Sequence, residues 1–375
     1  MADPISVYHG LDENERRRLN EEIKRAYVSA ADSQTAAVKD EDDETPEPPT
    51  HEGEIPEIPE FPDLIGIDPS VYRQINGALK AGKRHLMLYG PPGTGKTTLA
   101  QKIATRLQPN WYMITGSADW SSQDVIGGYQ PVGQGKIRFV PGLLLQNFDR
   151  PLVIDELNRC DIDKVIGPLF TVLSDQPTTL PYRTVVEDEH SAPFVILPNQ
   201  KPGAAPHEFA PTKSWRILAT INSVDKAALY QMSFALTRRF GWVFVDVPRD
   251  LQGFILELLR IRGIIGDEVQ SAAETPITQT WRAINEVRVI GPAPIIDLIS
   301  YVRAMDTTVS FLEIPGKSQA ALYLDGFYLF LLPMLDGILR SEASTIADRI
   351  CQALGLSADD PDALMLKQRL ANVAI

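Results

Sequence analysis

Short apolar runs of strand length alternate with segments of helical spacing through the middle of the chain. The continuous run Leu152–Ile154 is typical of a central parallel strand that is covered on both faces. Leu99, Ile103 and Leu107 recur every four residues, which predicts a helix. The predicted strands lie at 85–89, 111–114, 152–154, 216–221 and 242–247. This alternation indicates a doubly wound α/β fold with a parallel five-stranded sheet.

From residue 248 onward the periodicity becomes helical. Clusters of Gly and Pro separate the segments, as expected at helix ends. The candidate helices lie at 250–262, 279–288, 294–305, 319–338, 342–354 and 361–373. The oily run at 320–339 contains Asp325, Pro333 and Asp336, so it is expected to be a buried helix and not a membrane span. We predict an α/β domain over 62–247 and an α-helical domain over 248–375.

The first 61 residues have a different pattern. Leu19, Ile23 and Tyr27 are four apart and predict an amphipathic helix within 1–30, which either docks by its apolar face or is solvated. Residues 31–61 are rich in Pro, Glu, Asp and Thr, a composition that cannot offset the entropy of ordering. We therefore expect a disordered acidic linker there, acting as a self-repelling spacer or as a specific acidic ligand.

Most of the net negative charge of the chain lies in one stretch. The net charge is −13, and residues 40–63 hold eleven acidic residues and no Lys or Arg, which leaves −2 for the rest. Because no broad basic surface is expected, we predict weak or no direct nucleic-acid binding by the isolated chain. Lys136 and Arg138, in a predicted hairpin, would be the contacts if any form.

Cysteine usage and the first residues bear on the compartment. Cys160 and Cys351 are far apart in sequence, which argues against a disulfide framework and fits a reducing cytoplasm. Met1–Gly10 lacks the apolar core of a secretory leader. We expect a cytoplasmic protein without a membrane partner.

The strongest chemical signal is a glycine-rich loop between a predicted strand and a predicted helix. Residues 90–98 read GPPGTGKTT, which fits G-x-x-x-x-G-K-[ST]. Loop N–H groups and the positive end of the helix dipole can hold phosphate oxygens. Lys96 can bring a cation to the β- and γ-phosphates, and the Thr97 hydroxyl can ligate Mg²⁺. The predicted nucleotide-binding residues are Gly90, Pro91, Pro92, Gly93, Thr94, Gly95, Lys96, Thr97 and Thr98.

Polar residues follow two of the later strands. Asp155 and Glu156 come directly after Leu152–Ile154, and the carboxyl ends of parallel strands face the ligand crevice. Asp155 suits a direct or indirect Mg²⁺ contact, and Glu156 suits the base that orients the attacking water. Asn222, after the next strand, could hold the same water or sense the γ-phosphate. Alternatively, it is a turn-forming Asn.

An arginine pair precedes the last strand. Arg238 and Arg239 carry the residue type that stabilises charge on a transferring phosphoryl group. The alternative is a cation pair at a helix C-terminus, where the dipole favours positive charge.

Taken together, these motifs resemble the AAA+ NTPases, in the dynein-related branch that includes MoxR-type chaperones and McrB-type motors. The resemblance rests on the glycine loop at 90–98, on VIDELNRCD at 153–161 and on ATINSVDKAALYQMSFALTRRF at 219–240. Two insertions add to it, the hairpin-like 125–140 and the segment 175–214. The resemblance covers roughly residues 62–310.

The resemblance implies an ATPase, with GTP as the alternative substrate and Mg²⁺ as cofactor, working as a ring-shaped homo-oligomer, a hexamer in this family. It implies Glu156, Asn222, Arg238 and Arg239 as catalytic residues, and a helical lid after the AAA+ sheet. In the McrB-like version, which we favour, the partner is a separately encoded nuclease subunit of a restriction system. In the MoxR-like version it is a client protein. A nucleotide-gated scaffold with little turnover is the third alternative.

Two departures from the family patterns bear on these versions. INSVDK at 221–226 is closer to the McrB-type pattern, but Lys226 replaces the usual Arg, which leaves the choice between ATP and GTP open. After the turn Gly291–Pro294 the chain carries Ile295, where MoxR-type lids place an arginine that senses the nucleotide.

Overall fold

The structure is a computed structural model that describes residues 55–133, 135–174, 176–201, 204–222, 234–269 and 273–375. The predicted amino-terminal helix and the predicted linker as far as residue 54 lie outside the described residues. So does Lys226.

Five parallel strands form the central sheet, in the order β10-β1-β9-β5-β2. Their bounds are β1 His85–Gly90, β2 Tyr112–Thr115, β5 Leu152–Asp155, β9 Ile217–Asn222 and β10 Phe240–Phe244. Met87 and Ile154 belong to one apolar cluster, whereas Leu88 and Val153 belong to another on the opposite face. Because side chains alternate across a strand, both faces of the sheet are covered, and the predicted doubly wound fold is confirmed.

The helices of the α/β part connect and flank these strands. Asp68 caps the helix that leads into β1, by accepting a hydrogen bond from the Ser70 N–H at 2.8 Å. The α-helices of this part are α1 Pro69–Lys80, α2 Lys96–Leu107, α3 Ser122–Val125, α4 Leu143–Gln146, α5 Ile162–Ile166 and α6 Phe234–Thr237. The helix α5 is short, because Gly167 and Pro168 follow it, and the chain continues in 3₁₀ turns at Gly167–Leu169 and Val172–Ser174.

Two small sheets project from the α/β part. The predicted hairpin is present as antiparallel β3 Gly127–Pro131 and β4 Ile137–Pro141. A three-stranded sheet lies within the segment 175–214 and is formed by β6 Thr178–Arg183, β7 Pro193–Ile196 and β8 Glu208–Phe209. Phe139 joins the two sheets, because its ring centroid lies 4.4 Å from that of Phe194 and 5.1 Å from that of Tyr182.

The described residues after β10 form α-helices around an apolar core of their own. Trp281 lies in this core, fully buried, and its indole N–H donates to the Ile290 carbonyl at 3.0 Å. The helices are α7 Leu251–Ile261, α8 Pro276–Asn285, α9 Ala293–Met305, α10 Lys317–Phe330, α11 Arg340–Ala353 and α12 Pro361–Val373. The helix predicted at 319–338 ends at Phe330, before the 3₁₀ turn Leu332–Leu335. Across the described ranges, no helix combines the length and the hydropathy needed to cross a bilayer.

Residues 55–61 are packed on the body, although the sequence predicted an unpacked linker as far as residue 61. Ile58 is buried, and its main chain exchanges two hydrogen bonds with the Asn76 side chain, at 2.8 and 2.9 Å. Ile55, Ile58 and Phe61 contact the apolar cluster around α1. Their regular spacing was hidden by the acidic composition around them.

Candidate functional site

The glycine loop lies where β1 ends and α2 begins. Gly95 is the N-cap of α2, with the left-handed φ of 84° that an L side chain rarely adopts. The Thr94 hydroxyl donates to the Pro91 carbonyl at 3.1 Å, which holds the loop in a closed turn. Thr98 lies exposed in the first turn of α2. The loop therefore presents main-chain N–H groups at a helix N-terminus, which is an anion-binding arrangement.

Lys96 is a buried cation inside this loop. Its ammonium donates to the Pro91 carbonyl at 2.6 Å and to the Gly90 carbonyl at 3.1 Å. Burial lowers the pKa of Lys96 from 10.5 to about 8, opposed by the charges of Asp155 and Glu156. Two carbonyl oxygens do not neutralise a buried charge, so an anion bound in the loop would find its counter-ion already in place.

Two hydroxyl groups converge on one carboxylate beside the loop. The Thr97 and Thr220 hydroxyls each donate to Asp155 Oδ1, both at 2.6 Å. Asp155 ends β5 and Thr220 lies buried in β9, so neighbouring strands bring the two together. Thr97 and Asp155 thus form an oxygen pair of the kind that Mg²⁺ prefers.

Glu156 sits at a sharp turn directly after this carboxylate. Its φ of 50° is left-handed, and its N–H donates to Thr220 Oγ1 at 3.0 Å. Its carboxylate pairs with the guanidinium of Arg159. At Gly116 a Cβ would lie 2.5 Å from the Glu156 carbonyl oxygen, so the end of β2 packs tightly against this turn. The Glu156 backbone is fixed from two neighbouring strands.

Asn222 is the last residue of β9 and is paired in register with Gly90 of β1. It lies half-buried at the carboxyl ends of the parallel strands, as Asp155 does. The structure therefore brings the glycine loop, Asp155, Glu156 and Asn222 together at the carboxyl ends of the strands.

Arg238 and Arg239 lie at the opposite end of the strands, where the parallel strands begin. Phe240, the next residue, is in register with His85 at the start of β1, whereas the loop follows Gly90 at its end. At about 3.3 Å per residue, β1 separates the arginines from the loop by about 17 Å. The two arginines are not part of the site that their own chain forms.

Sequence reasoning missed the contact between the helical part and the glycine loop. The Gly291 N–H donates to the Pro92 carbonyl at 2.8 Å, and the Ala293 N–H donates to the Gly93 carbonyl at 3.1 Å. A Cβ on Gly291 would lie 2.3 Å from the carbonyl carbon of Gly93. Ile295 is fully buried in the helical core, and its uncharged side chain cannot contact a nucleotide as an arginine would.

Thr220 was also missed. A hydroxyl inside the otherwise apolar run Ile217–Ile221 was the available signal, because a buried polar group needs a partner.

An open cleft begins next to Leu64, which itself lies close to the loop. Leu64 Cδ1 lies 3.4 Å from where a Cβ of Gly95 would be. The residues that follow Leu64 line a cleft of about 300 Å³ with residues that precede and begin α7. Its lining includes Ile65, Ile67, Pro248 and Phe254.

Comparison with known proteins agrees with this geometry. Residues 85–240 match the model of a family described as AAA domain (dynein-related subfamily). Over 193 residues the chain is 25% identical to the EcoKMcrB subunit of the type IV methyl-directed restriction enzyme of Escherichia coli (strain K12). This match covers 46% of the chain and 37% of that protein.

Further similarities are shorter or lower. The chain is 36% identical over 104 residues to the Holliday junction branch migration complex subunit RuvB of Prochlorococcus marinus, over 28% of each protein. The solved Thermotoga maritima RuvB Holliday junction branch migration motor is 21% identical, with a TM-score of 0.41 over 78% of this chain and 84% of that one. The chain thus spans well under half the length of these curated relatives. On the family match, residues 85–240 belong to the dynein-related subfamily of AAA domains.

Proposed function

We propose that this protein is a Mg²⁺-dependent nucleoside-triphosphate phosphohydrolase that acts on ATP, with GTP as the alternative substrate. The observation that carries the proposal is the convergence of the Thr97 and Thr220 hydroxyls on Asp155, next to a buried Lys96 ammonium and a phosphate-type loop. A nucleotide-binding scaffold would need the loop and the lysine. It would not need a carboxylate held by two hydroxyls beside a second carboxylate.

The residues present fit a triphosphate with its metal ion. The loop N–H groups and Lys96 would hold the phosphate oxygens, in place of the two carbonyl contacts that the ammonium now makes. Thr97 and Asp155 would hold Mg²⁺, which when bound neutralises charge on the phosphates. The Glu156 carboxylate would accept a proton from the attacking water and orient it. Asn222 would hold that water or contact the γ-phosphate.

The open cleft beside Gly95 is the place we assign to the base. Its apolar lining from Ile65, Ile67 and Phe254 suits the faces of a purine ring. The acidic groups of the cleft are Asp68, Asp250 and Glu257. Asp68 is engaged with Ser70 and Arg249, and Asp250 with the Gly253 N–H. Neither purine is favoured over the other by these contacts.

We further propose that Arg238 and Arg239 serve the site of a second copy, so that the active form is a closed ring, a hexamer as in this family. Their position about 17 Å from the loop of their own chain supports this. Head-to-tail interfaces of this kind close into rings when the rotation permits.

The ring would drive a partner protein. The similarity to the EcoKMcrB subunit favours a separately encoded nuclease subunit of a restriction system, and a MoxR-like chaperone acting on a client is the second candidate. We expect the isolated chain to bind nucleic acid weakly or not at all, and to work in the cytoplasm. A nuclease encoded beside this chain that raises its turnover would favour the first candidate.

The proposal is tested by separating binding from turnover. Lys96→Ala should lose nucleotide affinity, because the phosphate cation is removed. Glu156→Gln should bind nucleotide as the wild type does and lose turnover by about 10²-fold or more, because the shape remains while the base is gone. Glu187→Gln, in the exposed loop between β6 and β7, is the matched control and should be as active as the wild type. Wild-type turnover by Glu156→Gln would refute the assignment of the base.

A further inference from the structure

The turn that carries the arginine pair is held by three consecutive main-chain carbonyls. The Leu236 carbonyl accepts from the Arg239 N–H at 3.0 Å, and the Thr237 carbonyl accepts from the Trp242 indole N–H at 3.1 Å. The Arg238 carbonyl accepts from the Lys83 ammonium at 2.6 Å. Carbonyls at a helix C-terminus have no intrahelical partner, so each of these donors fixes a group that would otherwise be free to move.

The two arginines differ in their surroundings. Arg239 Nε donates to the Phe170 carbonyl at 2.9 Å, and its guanidinium lies 5.6 Å from the centroid of the Phe170 ring. Arg239 is therefore half-buried and anchored to its own chain. Arg238 is exposed. Of the pair, Arg238 is the one whose side chain is available to a second copy, and Arg239 secures the turn on which it stands.

Lys83 is itself fixed in place. Gly82, with φ of 82°, ends α1, and two successive N–H groups close the helix end, Gly82 to the Leu79 carbonyl at 3.1 Å and Lys83 to the Ala78 carbonyl at 3.0 Å. From this fixed backbone the Lys83 side chain reaches the turn that carries Arg238, which lies 155 residues further along the chain. An ammonium donor makes a shorter and stronger hydrogen bond than a neutral one.

We propose that Lys83 is a positioning residue for Arg238, and the proposal rests on the proposed action of Arg238 on a second copy. Lys83 lies just before β1, whereas the glycine loop follows the other end of this strand. The length of β1 therefore separates Lys83 from the nucleotide site of its own chain. Its hydrogen bond holds the peptide unit from which Arg238 projects. Arg238 then meets the neighbouring triphosphate without first ordering its backbone, which is the condition for charge stabilisation by a preorganised group.

The test compares Lys83→Ala with Lys80→Ala. Lys80 is exposed in the last turn of α1, three residues before Lys83, and its ammonium donates no side-chain hydrogen bond to another described residue. Lys83→Ala should keep the KM for ATP and lose kcat by about 10- to 10²-fold, since a misplacement of ~1 Å can cost that much. Lys83→Arg should retain most of the activity, because a guanidinium can donate to the same carbonyl. Lys80→Ala should match the wild type.

A mixing experiment separates positioning from a general structural effect. Lys83→Ala keeps a sound nucleotide site, and Lys96→Ala keeps a sound Lys83–Arg238 turn. Mixed in equal amounts, the two should hydrolyse more ATP per Lys83→Ala chain than Lys83→Ala does alone, at unchanged oligomer mass by light scattering. A damaged fold would not be rescued in this way.

Three outcomes would overturn the inference, and the first two are distinct from failure of the proposed function. If Arg238→Ala is inactive while Lys83→Ala equals the wild type, Lys83 does not position Arg238, and the proposed function stands. If Lys83→Ala is inactive and the mixture stays inactive, the defect lies in its own site or fold. If Arg238→Ala is itself fully active, the action on a second copy fails and the role of Lys83 fails with it.

Discussion

At the scale of single residues, the Lys96 ammonium is the group most changed by folding at the site. Its pKa falls to about 8 because burial disfavours the charged form. Between about pH 8 and 10.5 the unfolded chain holds this proton and the nucleotide-free folded chain has lost it. From this group alone, the stability of the nucleotide-free protein therefore rises with pH across that window.

Nucleotide binding should reverse the shift. A triphosphate next to Lys96 favours the charged form and raises its pKa, so near pH 9 we expect proton uptake on binding, and affinity that falls by up to about tenfold per pH unit above pH 8. Calorimetry in two buffers of different protonation enthalpy measures the uptake. Lys96→Arg is the control, because arginine does not titrate in this range. Binding by the wild type without proton uptake at pH 9 would contradict the prediction.

At the scale of elements, the start of α9 is built against the glycine loop. The hydrogen bonds from Gly291 to Pro92 and from Ala293 to Gly93 are main-chain contacts, so they depend on close approach and not on side-chain type. Residue 291 must lack a Cβ, because all three nearest atoms at 2.3 to 2.5 Å would be backbone atoms of the loop. The helical part and the phosphate loop are therefore in direct main-chain contact.

Gly291→Ala should weaken nucleotide binding at least about tenfold, because the added methyl group displaces loop N–H groups that would contact phosphate. Gly77→Ala is the matched control. It lies in α1 with no heavy atom within 4 Å of the added Cβ, so affinity should be unchanged. Titration with a fluorescent ATP analogue measures both. Equal affinities for the two variants would show that the contact with α9 does not shape the loop.

The two small sheets differ in how far local sequence patterns predict them. β3 and β4 form the hairpin that was predicted within residues 125–140. β6 and β8 lie in a polar, proline-rich stretch and pair with β7 through contacts that the local sequence does not encode. Phe139 and Phe194 then join the two sheets by aromatic packing, a contribution of about 1 kcal/mol beyond the area that they bury.

At the scale of the whole molecule, a group of arginines and a pair of carboxylates lie at opposite ends of the central strands. Arg84, Arg216 and Arg239 directly precede β1, β9 and β10. Asp155 and Glu156 lie at the other end, at and directly after the last residue of β5. Arg216 is buried, and this desolvation, with the nearby charge of Arg84, lowers its pKa to about 10. Arg216 is therefore enclosed in its own chain, and Arg238, which is exposed, is the arginine at this end that we expect to meet a second copy.

Turnover should therefore depend on assembly. On dilution, the specific activity of the wild type should fall as rings dissociate, because Arg238 then has no neighbouring site. Arg238→Ala should bind nucleotide normally and lose about 10³-fold or more in turnover, and mixing it with Lys96→Ala should restore part of the activity. The measurement is phosphate release per chain over a range of protein concentrations. Turnover per chain that is independent of concentration would contradict action on a neighbour and would return Arg238 to the role of a cation at a helix end.

Local signals in the sequence were enough to predict the central strands, most of the helices and the residues of the candidate site. The glycine loop, the carboxylates at the end of β5 and the period of the strands and helices are each contained within about ten residues, because backbone preference and one-sided burial act over that range. Which of these groups come into contact is visible in the folded structure and not in the local pattern. Thr220 reaches Asp155 across 65 residues, Lys83 reaches the Arg238 carbonyl across 155, and Gly291 lies against Gly93. Such contacts depend on strand order and on packing between elements, and the residues on either side do not identify the partner, even where, as at Thr220, a buried hydroxyl indicates that a partner is needed.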